Sequence, residues 1–353
     1  MLAFALVVAL QRWNTGEFAI TPGNATPVAP LITVHGVATN PHPDTVMLTD
    51  VYLESLSVWS WITAHFESHV QLVSGSELVA PGQSLSELDA QGFLEMYDAK
   101  RAAEVVAFRT LGWSVPARAT GTVITGVESP SPAATAGLGV GDEVVGAGAR
   151  SIRSACQLIG YLHDVVPGTS VRVRVRHVRI SNSGALTWRA PTVVTVKTAR
   201  VPAGVAPSGC PGISGADRSF LGVSLEDGFD YRLPARVSID TANIGGPSAG
   251  LALTLGLIAT LGRGSITGHH VVAATGTMDV TGAVGDVGGV AEKTVAVQRA
   301  GAQYFIVPQV EVATARAAAT PGLTVFGVTT LAQALADLRS LGGVRPSALT
   351  GAG

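Results

Sequence analysis

At 353 residues, with 47% hydrophobic and 14% charged residues, the chain can bury several cores, and wholesale disorder is excluded. A net charge of −2, with Lys and Arg spread along the sequence, excludes a basic surface large enough for nucleic acid. Cys156 and Cys210 are too few for a disulfide framework or a zinc site, and a single bridge between them stays open.

The opening segment, 1–12, is apolar from Met1 to Leu10. Ten residues reach about half of a ~30 Å hydrocarbon core, so they cannot span a membrane alone. They also lack the positive start and small-residue cleavage site of a signal peptide, which leaves a buried strand or the stub of an anchor that begins upstream. Residues 13–111 follow as a separate region. Pro22, Pro27, Pro30, Pro41 and Pro43 punctuate short β-branched runs there, the pattern of small β-structure with turns. From Ser86 to Arg109 the period becomes helical, with Leu88, Phe93, Met96, Ala99, Ala103 and Val106 at three- and four-residue steps. His65 and His69 stand four apart, but Phe66 occupies the place where a zinc motif needs its glutamate, so no metal is expected.

Residues 112–200 hold strand-like runs at 121–127 and 171–178 around a helical segment, Ser154 to His163. The basic positions Arg172, Arg174, Arg176, His177 and Arg179 alternate with valines and so read as the wet face of a strand. Ser131-Pro132-Ala133, Ala136-Gly137-Leu138 and Gly141-Asp142 occur in order before the helix and the Pro167-Gly168 turn. This ordered set resembles a PDZ domain, which implies capture of an extended peptide. Backbone N–H groups near Gly112 or Gly121 are candidates for its carboxylate-binding approach, and the loop itself stays open because neither site matches the family's pattern closely. The Pro/Gly/Ser-rich stretch 201–215 then marks a linker.

From 216 to 345 strands and helices alternate, predicting an α+β domain. Strands are expected at Arg236–Asp240, Val271–Thr275, Tyr304–Val307 and Leu323–Val328. Helices are expected at Ser248–Leu261, Val290–Ala300 and Thr330–Leu341. Gly245-Gly246-Pro247-Ser248-Ala249-Gly250 precedes an apolar run, placing Ser248 at a helix start where unpaired backbone N–H groups stabilise a developing oxyanion. Taken alone, such a serine is more often a helix cap than a nucleophile. Gly288-Gly289-Val290-Ala291-Glu292-Lys293 puts a lysine near the positive end of a second helix, on one face with Val290 and Val297. Both effects depress an amine pKa toward what a general base needs.

These elements, with Ala274-Thr275-Gly276-Thr277, Gly282-Ala283-Val284-Gly285 and Val307-Pro308, resemble the Lon peptidase domain in order over residues 219–341. The resemblance implies a catalytic dyad of Ser248 and Lys293, 45 residues apart, with Thr275 supporting the lysine. Backbone groups of Gly245, Gly246 and Ser248 are the expected oxyanion donors. Gly245 departs from the acidic residue that energy-dependent members usually place there. No G-x-x-x-x-G-K-[ST] occurs, so neither ATP nor any other cofactor is expected.

The whole chain resembles bacterial, actinobacterial-type Lon-like serine proteases with a PDZ domain. That implies an ATP-independent endopeptidase acting on proteins or peptides and a homo-oligomer, often a hexameric ring. It also implies a single N-terminal membrane anchor with extracytoplasmic domains. The rival reading is a non-catalytic PDZ adaptor or scaffold with an inactive Lon-like domain. A Ser-His-Asp triad built on His269 or His270 is disfavoured, since strand neighbours point to opposite faces and Lys293 is available. The Gly282–Gly289 run lacks a dinucleotide fingerprint and reads as a turn.

Overall fold

A computed structural model describes residues 13–78, 85–181, 186–202, 209–213 and 219–349; the apolar segment 1–12 and most of the 201–215 linker lie outside them. The chain forms two compact units, one from residues up to Val115 and from Leu233 onward, the other from Pro116 to Arg232.

The first unit is built on a six-stranded sheet in the order Thr324–Val328, Tyr304–Pro308, Val272–Ala274, Val46–Ser57, Asn14–Pro27, Gln71–Ser74. The first four are parallel neighbours, and the last two pair antiparallel. This corrects the expectation that 13–111 is a region apart, because its strands complete the sheet of the C-terminal domain. The reason is backbone satisfaction. Val272, Ala273 and Ala274 are fully buried, so both edges of that short strand need partners, and Val46–Leu48 supplies one of them.

Two helices pack together beside this sheet, Leu85–Thr110 and Gly250–Leu261. Every residue of the second is buried, which follows from its being apolar all round. Gly256 lets Val28 sit against that helix, since a Cβ there would lie 2.4 Å from the valine side chain. The Leu85–Thr110 helix ends as glycine-capped helices do. Gly112 takes φ +93°, Trp113 N–H reaches the Phe108 carbonyl, and the two rings meet edge to face. Gly112 is therefore a helix terminator and not a peptide-binding glycine.

The second unit holds another six-stranded sheet, running Thr192–Lys197, Ser170–Arg176, Glu143–Ala147, Ala117–Val127, Val223–Tyr231, with Arg150–Ser151 beside Glu143–Ala147. Val223–Tyr231 pairs with Ala117–Val127 and so belongs here, which corrects the domain start at 216. Gly121 stands opposite Gly228 inside that pairing, and a Cβ on it would lie 2.7 Å from the Val144 carbonyl. It is a packing glycine within the sheet, which removes it too from the carboxylate-binding role. The buried Asp142 explains the Gly-Asp motif: its carboxylate accepts from the N–H groups of Gly139 and Val178 and meets His177 Nδ1 at 2.9 Å. Cys156, in the first turn of the Ala155–His163 helix, is disulfide-bonded to Cys210.

Candidate active site

Ser248 lies in a 3-10 turn, Pro247–Ala249, that feeds the buried helix beginning at Gly250. The sequence predicts that the helix itself starts at Ser248; the tighter turn displaces it by two residues. Gly246 enters that turn at φ +84° and ψ 159°, a backbone region open essentially to glycine. Its N–H donates to the Gly92 carbonyl at 2.8 Å. Gly92 and Gly245 pass closely enough that a Cβ on Gly245 would lie 3.3 Å from the Gly92 carbonyl carbon. The loop before Ser248 thus rests on the Leu85–Thr110 helix. Because its N–H is engaged with Gly92, Gly246 drops out of the oxyanion donors expected from sequence. The interior glycine in a helical pattern was the available signal for Gly92, since it marks close approach of another backbone.

The other side of the turn is fixed by the segment that follows the central strand Val272–Ala274. The Ser248 carbonyl accepts from Gly276 N–H at 2.9 Å and from Thr275 Oγ1 at 3.2 Å. Leu251 N–H returns a bond to the Gly276 carbonyl at 3.0 Å. Gly250 has no room for a side chain, as a Cβ there would lie 2.8 Å from the Met278 nitrogen. Ser248 itself is half-buried.

Lys293 arrives from the Val290–Arg299 helix, whose N-cap Gly289 is left-handed at φ 66°. Val290 and Val297 on the same face are buried, and Lys293 is only 3% exposed. Its Nζ donates to Thr275 Oγ1 at 3.4 Å. Burial pushes the ammonium down to about 8, while the negative charges of Asp50 and Glu311 hold it up against that effect. Ser248, Thr275 and Lys293 are thereby joined through one hydroxyl. Asp50 and Glu311 were not legible as partners, since their approach depends on nonlocal packing. Asp50 also accepts from Asn24 N–H at 2.6 Å, across an irregularity in the pairing of Asn14–Pro27 with Val46–Ser57.

The histidines set aside above lie elsewhere in the hydrogen-bond pattern. His270 meets Gln303 and packs edge-on against Tyr304, while His65 Nδ1 meets the Trp61 carbonyl. Among the described residues no group of three His, Cys, Asp or Glu side chains could hold a metal ion.

A family model for the Lon protease (S16) C-terminal proteolytic domain matches residues 240–334, and one for the PDZ domain matches 109–184. No curated protein matches the chain. Similar solved structures include the PDZ domain of an SdrC-like protein from Listeria monocytogenes, at 17% identity over 30% of this chain and 87% of that one, with a TM-score of 0.22. The PDZ domain of the SdrC-like protein from Listeria innocua is likewise similar, at 17% identity over 30% of this chain and 92% of that one, with a TM-score of 0.22. The protein accordingly carries an S16 Lon-type proteolytic domain together with a PDZ domain, the make-up of a Lon-like protease with a PDZ domain.

Proposed function

We propose that the protein is an ATP-independent serine endopeptidase in which Ser248 is the nucleophile and Lys293 the general base. The observation that carries this reading is the buried, depressed amine of Lys293 on the hydroxyl of Thr275, which also holds the Ser248 carbonyl. A neutral Nζ takes the Ser248 hydroxyl proton as Oγ attacks the peptide carbonyl. The resulting ammonium returns that proton to the leaving amine, and the acyl-serine is hydrolysed by a water that the freed amine deprotonates. The N–H groups of Ser248 and Gly245 are the proposed oxyanion donors, Gly246 being engaged with Gly92. Thr275 orients the lysine. A fluorophosphonate probe should label wild-type protein at Ser248 and leave Ser248→Ala unlabelled. A wild-type serine inert to the probe, with no peptide cleavage, would favour the adaptor reading.

In this proposal the PDZ unit selects substrate by adding an extended peptide to its sheet. Val223–Tyr231 stands at the end of the strand order, an open edge among the described residues. The turn into it passes through Gly222 at φ +76°, and the backbone N–H groups of this turn are the proposed holders of the peptide carboxylate. We also propose an extracytoplasmic setting with an N-terminal anchor and assembly into a homo-oligomer. The Cys156–Cys210 bridge supports the former, because disulfides persist in oxidising compartments. Among the described residues no helix is long and apolar enough to cross a membrane.

A further inference from the structure

The short helix Val58–Ala64 wears its faces reversed. Its packed side carries Ala64, which is buried, with Ser60 and Thr63 half-buried and bonded to the helix backbone. Its outer side carries Trp59, Trp61 and Ile62, which are 43%, 38% and 41% exposed, and continues into Phe66 at 86%. At about 100° per residue, Trp61, His65, Ile62, Phe66 and Trp59 follow one another around an arc of roughly 160°. From Ser55 to Phe66 the sequence has no Asp, Glu, Lys or Arg. A helix resting on a soluble core shows the opposite order, with the apolar stripe inward.

Trp13 extends this face. It is 72% exposed, and its carbonyl accepts from Val58 N–H at 3.0 Å, tying it to the first turn of the helix. Just upstream in sequence, Met1 to Leu10 carry no charged residue. Tryptophan prefers the boundary where an apolar ring meets headgroups and water, and a neutral aromatic arc of this kind needs no charged partner to settle there. Within Val58–Ala64 the two hydroxyls, Ser60 and Thr63, bond to the helix backbone, so the helix offers a partner protein no charged group to pair with.

We propose that Trp13, Trp59, Trp61, Ile62 and Phe66 form a lipid-contacting face by which the proteolytic unit itself lies on a phospholipid bilayer. This differs from the proposed anchor, since the contact is made by a folded element, and it does not depend on the peptidase reading. The test uses the full chain and neutral phosphatidylcholine vesicles brominated at shallow acyl positions, which quench inserted tryptophans. Wild-type fluorescence should be quenched, and Trp59→Phe with Trp61→Phe should remove the part those two rings contribute. Trp59→Ser, Ile62→Ser and Phe66→Ser together should lower vesicle partitioning roughly tenfold, with little dependence on salt. Far-ultraviolet circular dichroism and cleavage of a soluble short peptide should stay unchanged. Co-sedimentation without quenching of Trp59 and Trp61 would overturn the proposal and leave the N-terminal run as the sole attachment. Lipid-free self-association abolished by the serine substitutions would overturn it in favour of a second copy as the occupant.

Discussion

Thr275 Oγ1 lies 3.4 Å from Lys293 Nζ and also donates to the Ser248 carbonyl at 3.2 Å, so one hydroxyl couples the backbone of the candidate nucleophile to its candidate base. Thr275→Val keeps the shape and removes both bonds. At about 1–3 kcal/mol for a lost buried partner, kcat should fall roughly 5- to 150-fold. KM should change little, and Thr275→Ser should restore most of the loss. Steady-state kinetics on one peptide decides this, and a kcat unchanged in Thr275→Val would remove the residue from the machinery.

The acid limb of the activity profile should report Lys293. Activity should fall as pH drops through about 8, because the amine must be neutral to accept a proton. Asp50 raises that pKa by its charge, so Asp50→Asn should move the limb to lower pH. A limb that stays in place, in a variant with an unchanged circular-dichroism spectrum, would mean that Asp50 does not act on the base.

The same burial costs stability. The unfolded chain holds the Lys293 proton up to about 10.5 and the folded chain releases it at about 8, so stability rises with pH across that window. Below it the cost is fully present, at about 3 kcal/mol. Lys293→Met, of similar size and uncharged, should therefore abolish turnover yet resist urea better at pH 7, with the gain gone by about pH 10.5. Glu104 slopes the other way, since burial raises its carboxyl to about 7 and stability falls as pH rises from 4.5 to there. Urea melts of Lys293→Met and Glu104→Gln at several pH values separate the two.

Two glycines near Ser248 should respond oppositely to alanine. A Cβ on Gly92 would meet the Gly246 nitrogen at 3.5 Å, an ordinary contact, so Gly92→Ala should gain up to about 1 kcal/mol of helix propensity and stay active. A Cβ on Gly250 would stand 2.8 Å from the Met278 nitrogen, so Gly250→Ala must displace the turn that carries Ser248 and should lower both stability and kcat. Equal behaviour of the two variants would show that the close approach at Gly250 is not a constraint.

Reduction of Cys156–Cys210 should weaken only the PDZ unit. The bridge closes a loop of 54 residues, for which chain entropy alone gives about 4 kcal/mol. Calorimetry with and without reductant should show the transition of the Pro116–Arg232 unit shifted down and the other unchanged. A common shift would mean that the units unfold together.

The sequence by itself determined the short-range elements of this protein. The Leu85–Thr110, Gly250–Leu261 and Val290–Arg299 helices are legible because apolar periodicity and flanking glycines act over a few residues. The order of Ser248, Thr275 and Lys293 is equally a property of the chain. Tertiary structure decided what depends on distant pairing. It set Val46–Ser57 beside Val272–Ala274, gave Val223–Tyr231 to the PDZ sheet, and brought Gly92 under Gly246 and Asp50 toward Lys293. Pattern along a strand says which face is buried but not which strand lies alongside. Backbone bonding and the shared core select that partner only when the whole sheet closes.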